Sequence, residues 1–148
     1  MQSEPMNLLL AEDDEDDCIF FKEAFEDIKI KTTLRIVNDG VELMNYLTQN
    51  GIQLPQILFL DLNLPLKTGI ECLLEIKRIP HLKDVPIVIY STSSSEKDIE
   101  DTFVFGANVY VKKPNNFDDL KKILKQVIAI NWLYQTTNLS RDSYLFRL

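Results

Sequence analysis

The chain has 148 residues, 45% hydrophobic and 26% charged with few Gly and Pro, the composition of one ordinary globular domain large enough to bury a core. A formal charge of −7 excludes nucleic acid as a direct ligand, because phosphate contact needs a basic face, and suits a metal cation or a basic patch on a protein partner. No apolar run is long enough to span a bilayer, and the N-terminus MQSEPMN has neither a basic start nor an apolar signal core, so the expected compartment is the cytoplasm, with no membrane partner.

Residues 6–11 (MNLLLA) form a continuous apolar run of strand length, followed by six acids from Glu12 to Asp17. Glu15, Asp16 and Asp17 fit a helix start, since acids favour a helix N-terminus and apolar residues recur at helical spacing over 18–25. Glu12 and Asp13 fit that role poorly. They stand directly at the end of a buried strand, where a like-charged pair costs free energy without a cation. Cys18 and Cys72 fall within predicted helices and, in a reducing compartment, are expected as small core side chains.

Residues 33–37 (TLRIV) alternate and predict a strand nearer an edge, and Asp39 to Glu42 opens a helix that runs to Leu47. Residues 57–60 (ILFL) predict a strand buried on both faces, ending abruptly in Asp61 before the loop and helix-start residues Asn63, Pro65 and Gly69. A helix over 70–78 stops at Pro80. A fourth strand over 86–90 ends in Ser91, and a capping pattern at Ser95 to Asp98 starts a helix that Gly106 terminates. Residues 109–111 (VYV) are a short final strand stopped by Lys112, Lys113 and Pro114, and Asn116 with Asp119 starts the last helix.

This order repeats strand and helix five times, which calls for a parallel sheet with helices on both faces. Ligands bind outside the carboxyl ends of the strands in such sheets. Glu12, Asp13, Asp61, Ser91 and Lys113 stand at those ends, so five polar groups converge on one edge. Three carboxylates held together require a proton or a cation, and an all-oxygen site of this kind suits Mg²⁺. With a lysine and a hydroxyl beside it to hold phosphoryl oxygens, Asp61 can act as a nucleophile and form an aspartyl phosphate.

Four motifs (LLLAEDD, LDLNLPLKTG, IVIYSTS and GANVYVKKP) match in order and spacing the receiver domain of the two-component response-regulator family, which the chain resembles over residues 5–131. The resemblance implies a flavodoxin-like (CheY-like) doubly wound α/β fold, with strand order 2-1-3-4-5 and five helices. It implies that Asp61 receives a phosphoryl group from a histidine kinase or phosphotransfer protein, and that the chain signals to a downstream protein by docking, with a homodimer through the face of helix 4, strand 5 and helix 5 as an option. Mg²⁺ would be held by Asp13, Asp61 and the Asn63 carbonyl, with Glu12 acting through a bound water. Lys113 would pair with Asp61 and then with the phosphoryl oxygens, across a cis Lys113–Pro114 bond. Ser91 would move toward the phosphoryl group and Tyr110 rotate into the space it leaves.

Thr92 departs from the small residue usual after the switch hydroxyl, and its bulk is expected to slow self-dephosphorylation. His81 is expected at the surface and Trp132 in packing. Residues 132–148 lie beyond the family core, yet Tyr134, Leu139, Tyr144, Leu145, Phe146 and Leu148 are too apolar for a free tail, so the extension is expected to pack on its own domain or across a dimer. Two competing readings remain. A phosphatase of the haloacid-dehalogenase type also forms an aspartyl phosphate but wants a second acid where this chain has Asn63. A flavodoxin-like electron carrier needs a phosphate-cradling loop where this chain has EDDEDD.

Overall fold

Three apolar runs set the frame of the computed structural model, which describes residues 5–130 and 144–146. Strands β1 (Met6–Ala11), β3 (Ile57–Leu60) and β4 (Ile87–Ser91) lie side by side and are buried on both faces, as continuous apolar sequence requires. β2 (Thr32–Val37) flanks β1, and its alternating burial is that of an edge strand. β5 (Val109–Lys112) flanks β4, and these five strands are parallel in the order 2-1-3-4-5.

Between them run α1 (Glu15–Asp27), α2 (Gly40–Leu47), α3 (Gly69–Arg78), α4 (Glu96–Val104) and α5 (Phe117–Ala129). Each opens on a capping side chain: Asp14, Asp39, Thr68, Ser95 and Asn116 accept the N–H three residues on. Thr68 and Glu71 make the reciprocal capping box in full. Alternation along β1 divides the core. Leu8 and Leu10 pack with Phe21, Phe25, Leu120 and Leu124 of α1 and α5, whereas Leu9 and Ala11 pack with residues of α2 and α3. Cys18 and Cys72 are free and buried in these layers, and His81 is exposed.

The sheet differs from the expectation in having a sixth strand. β6 (Leu145–Phe146) pairs in parallel with β5, placing Leu145 beside Tyr110 and Phe146 beside Val111. An edge strand presents unpaired N–H and C=O groups, and an apolar segment of the same chain is a ready partner for them. Tyr144, next to this strand, is fully buried on its own domain. The expectations for Trp132 and for the tail residues 133–143 and 147–148 lie outside the described residues.

Candidate functional site

The backbone ladder extends one residue past three strands and so fixes the rim. The Glu12 N–H donates to the Val37 carbonyl (2.9 Å), the Asp61 N–H to Ala11 (3.1 Å) and the Lys113 N–H to Ser91 (2.8 Å). Three side chains are thereby held by sheet hydrogen bonds rather than by loops. Asn38 adds a bond from Nδ2 to the Glu12 carbonyl (3.0 Å). The turn from Asp61 into α3 needs Gly69, because a Cβ there would collide with the Asp61 carbonyl oxygen.

Lys113 is the centre of charge. Its Nζ donates to the Glu12 carboxylate, to Asp17 Oδ2 (2.9 Å) and to Asp61 Oδ2 (3.2 Å), and sits 5.3 Å from the centroid of the Tyr90 ring. Glu12 is 1% exposed and Asp61 4%, so solvent screens neither. Asp13 is exposed but places a carboxylate oxygen within 4.8 Å of oxygens of Glu12 and Asp61. Three carboxylates therefore contact one ammonium, with a fourth, Asp13, beside two of them.

That imbalance appears in the acid–base behaviour. Burial, aided by the hydrogen bond and charge of Asp61, pushes the Glu12 carboxyl up to about 7 against the opposing pull of Lys113. Burial alone would lower the Lys113 ammonium, but its bonds to Glu12 and Asp17 and the charge of Asp61 outweigh it and hold the group above its usual range. Glu12, Asp13 and Asp61 place carboxylate oxygens within 4.8 Å of one another, and this all-oxygen donor set suits a divalent ion such as Mg²⁺.

The sequence-predicted residues Glu12, Asp13, Asp61 and Lys113 thus meet. The Asn63 N–H donates to Asp61 Oδ1 (3.1 Å), so each Asp61 oxygen has a partner, and the Asn63 side chain is exposed. Ser91 is buried at the end of β4, where its Oγ accepts the Ser93 N–H (3.1 Å). Thr92 is exposed on the same rim. Tyr110 is fully buried, and its hydroxyl donates to the Ser93 carbonyl (2.9 Å).

Two points correct the sequence reading. The Lys113–Pro114 peptide is trans, as are all peptides among the described residues. Trans is the ordinary preference even before proline, and from that backbone Lys113 already reaches three carboxylates. Asp17, read as a helix-start acid, is also a direct partner of Lys113. Its place in the first turn of α1, immediately beyond the β1 rim, was the available signal.

A family model described as "Response regulator receiver domain" matches residues 8–125. Response regulator Rcp1 of Synechocystis is 36% identical over 137 residues, covering 90% of this chain and 92% of that protein. Among solved structures, the phosphorylated cyanobacterial phytochrome response regulator RcpA is 36% identical with a TM-score of 0.79, over 88% of this chain and 95% of that one. The Mn²⁺-bound form of Rcp1 is 35% identical with a TM-score of 0.76, over 85% and 94%. These likenesses set aside the phosphatase and electron-carrier alternatives. The chain belongs to the response-regulator receiver domain family and is a phosphorylation-controlled signalling switch.

Proposed function

We propose that Asp61 is the phosphoryl acceptor and that the surrounding rim serves this one transfer. The observation that carries the proposal is the Lys113 ammonium, held between Glu12, Asp17 and Asp61 at the carboxyl edge of a parallel sheet. An Asp61 carboxylate oxygen attacks the phosphorus of a phosphohistidine on a histidine kinase or phosphotransfer protein. The new P–O bond forms as the P–N bond breaks, and the donor imidazole leaves with its electron pair and takes a proton. Lys113 moves from carboxylate to phosphoryl oxygens, and the Ser91 hydroxyl turns to donate to another. Asp13, Asp61 and the Asn63 carbonyl would hold Mg²⁺, with Glu12 acting through a water, and the ion would supply compensation for the charge that gathers on the phosphoryl oxygens.

The chain catalyses only its own phosphorylation and dephosphorylation and acts in the cytoplasm by docking to a downstream protein. Among the described residues no helix is long and apolar enough to cross a membrane. The naming of RcpA as a phytochrome response regulator makes a light-sensing histidine kinase the first donor to test. A homodimer through α4, β5 and α5 would have to form around β6, which lies on the free edge of β5.

The test is a turnover measurement with a small phosphodonor and Mg²⁺. A switch is labelled with one phosphoryl group per chain and releases phosphate only as slowly as that group is lost. Continuous release of many equivalents of phosphate at the rate of a hydrolase would refute the proposal.

A further inference from the structure

A line of contacts runs from the rim to the C-terminal segment. The Tyr110 hydroxyl donates to the Ser93 carbonyl (2.9 Å), and the Ser93 hydroxyl donates to Asp98 Oδ2 in α4 (2.7 Å). One turn further along α4, the Thr102 hydroxyl donates to the Asp98 carbonyl (2.8 Å) and accepts from the Tyr144 hydroxyl (2.6 Å). The Tyr144 ring lies edge-on to Phe103 (5.3 Å between centroids) and to Tyr110 (6.1 Å). Tyr110, Tyr144 and Thr102 are all 0% exposed. A two-residue strand is not stable by itself, so β6 is held by this aromatic anchor and by the β5 edge that it completes.

We propose that the β5 edge, with the pocket formed by Thr102, Phe103 and Tyr110, is a second binding site of this domain, for an extended segment led by an aromatic hydroxyl. Its occupant is the chain's own Tyr144–Phe146, and its occupancy is coupled to the state of Asp61 through Tyr110. The coupling rests on the reading of Asp61 as phosphoryl acceptor. Its sign follows from the packing. Tyr144 covers Tyr110 in the inward position, with the Tyr110 hydroxyl on Ser93, and its edge-on ring contact favours that conformer. A phosphoryl group that draws Ser91 toward Asp61 favours the same inward Tyr110. Two events that favour one conformer strengthen each other reciprocally. The segment is therefore a latch that phosphorylation tightens, and a partner bearing an extended aromatic segment competes with it.

The experiment uses the full chain with Mg²⁺ and beryllofluoride as the phosphoryl mimic. The mimic's binding midpoint and amide hydrogen exchange at residues 110–112 and 144–146 are measured in the unaltered chain, Tyr144→Ala and Tyr144→Phe. The mimic is expected to slow exchange at 144–146 in the unaltered chain. Tyr144→Ala is expected to weaken mimic binding at least about fivefold, and Tyr144→Phe, which keeps the ring, less than Tyr144→Ala. Equal midpoints with unchanged exchange overturn the latch while leaving Asp61 as acceptor. Failure of the unaltered chain to bind the mimic overturns the Asp61 reading and the coupling with it. A midpoint that depends on protein concentration assigns the site to the strand of a second copy and overturns the intramolecular latch.

Discussion

Replacing Lys113 by methionine tests whether the rim is one electrostatic unit. The change keeps most of the side-chain stem and removes the ammonium, which is held between the buried Glu12 and Asp61 carboxylates. Removing one partner of a buried pair costs about 3–5 kcal/mol, because the other charge is left uncompensated. The lower end applies here. Glu12 is already pushed up to about 7 with Lys113 in place, so without it the carboxyl takes up a proton at neutral pH and limits the loss. The expected destabilisation in metal-free buffer is therefore about 3 kcal/mol, or about 9 °C in Tm for a chain of this size. Glu12→Gln in the same chain should recover much of it, giving a coupling of about 2 kcal/mol in a double-mutant cycle read by urea unfolding. Additive effects of the two substitutions, within about 0.5 kcal/mol, would show that Lys113 and Glu12 do not act together and would refute the reasoning.

Three more outcomes are expected. In chelator, stability should fall as pH rises from 4.5 to about 7, because over that interval the folded state keeps on Glu12 a proton that the unfolded state has lost; the loss is at most about 3 kcal/mol, and urea midpoints that rise across this window would contradict it. Mg²⁺ should raise the calorimetric Tm by relieving carboxylate repulsion, and Asp13→Asn should shrink that shift; equal Tm values with and without the ion would leave the acids as a solvated face. Thr92→Ala should shorten the aspartyl-phosphate lifetime about fivefold, equivalent to about 1 kcal/mol of barrier, as followed by loss of label from the chain; an unchanged lifetime removes Thr92 from the account.

Much of this was legible because the physics is local. A strand buried on both faces must be apolar throughout, so β1 and β3 coincide with the runs at 6–11 and 57–60, and the abrupt change to acid marks the rim in both. Parallel topology then brings Glu12, Asp61 and Lys113 to one edge without further information. The remainder depends on contacts that carry no period. Asp17 is an acid in the first turn of α1 as well as a partner of Lys113, and sequence does not separate the two duties. β6 has two residues, too few to show alternation, and its register depends on where Tyr144 finds its pocket. Tyr110 owes its full burial partly to Tyr144, 34 positions away in sequence and adjacent only in the fold.

The most direct test of the account is to locate the phosphoryl group. After reaction with a small phosphodonor and Mg²⁺, reductive trapping of the acyl phosphate and peptide mapping should place one modification per chain at Asp61. Chelator should abolish it, and Asp61→Asn should eliminate the modified peptide. Modification on any other residue, or labelling at Asp61 that proceeds equally well without the ion, would contradict a rim organised around that carboxylate.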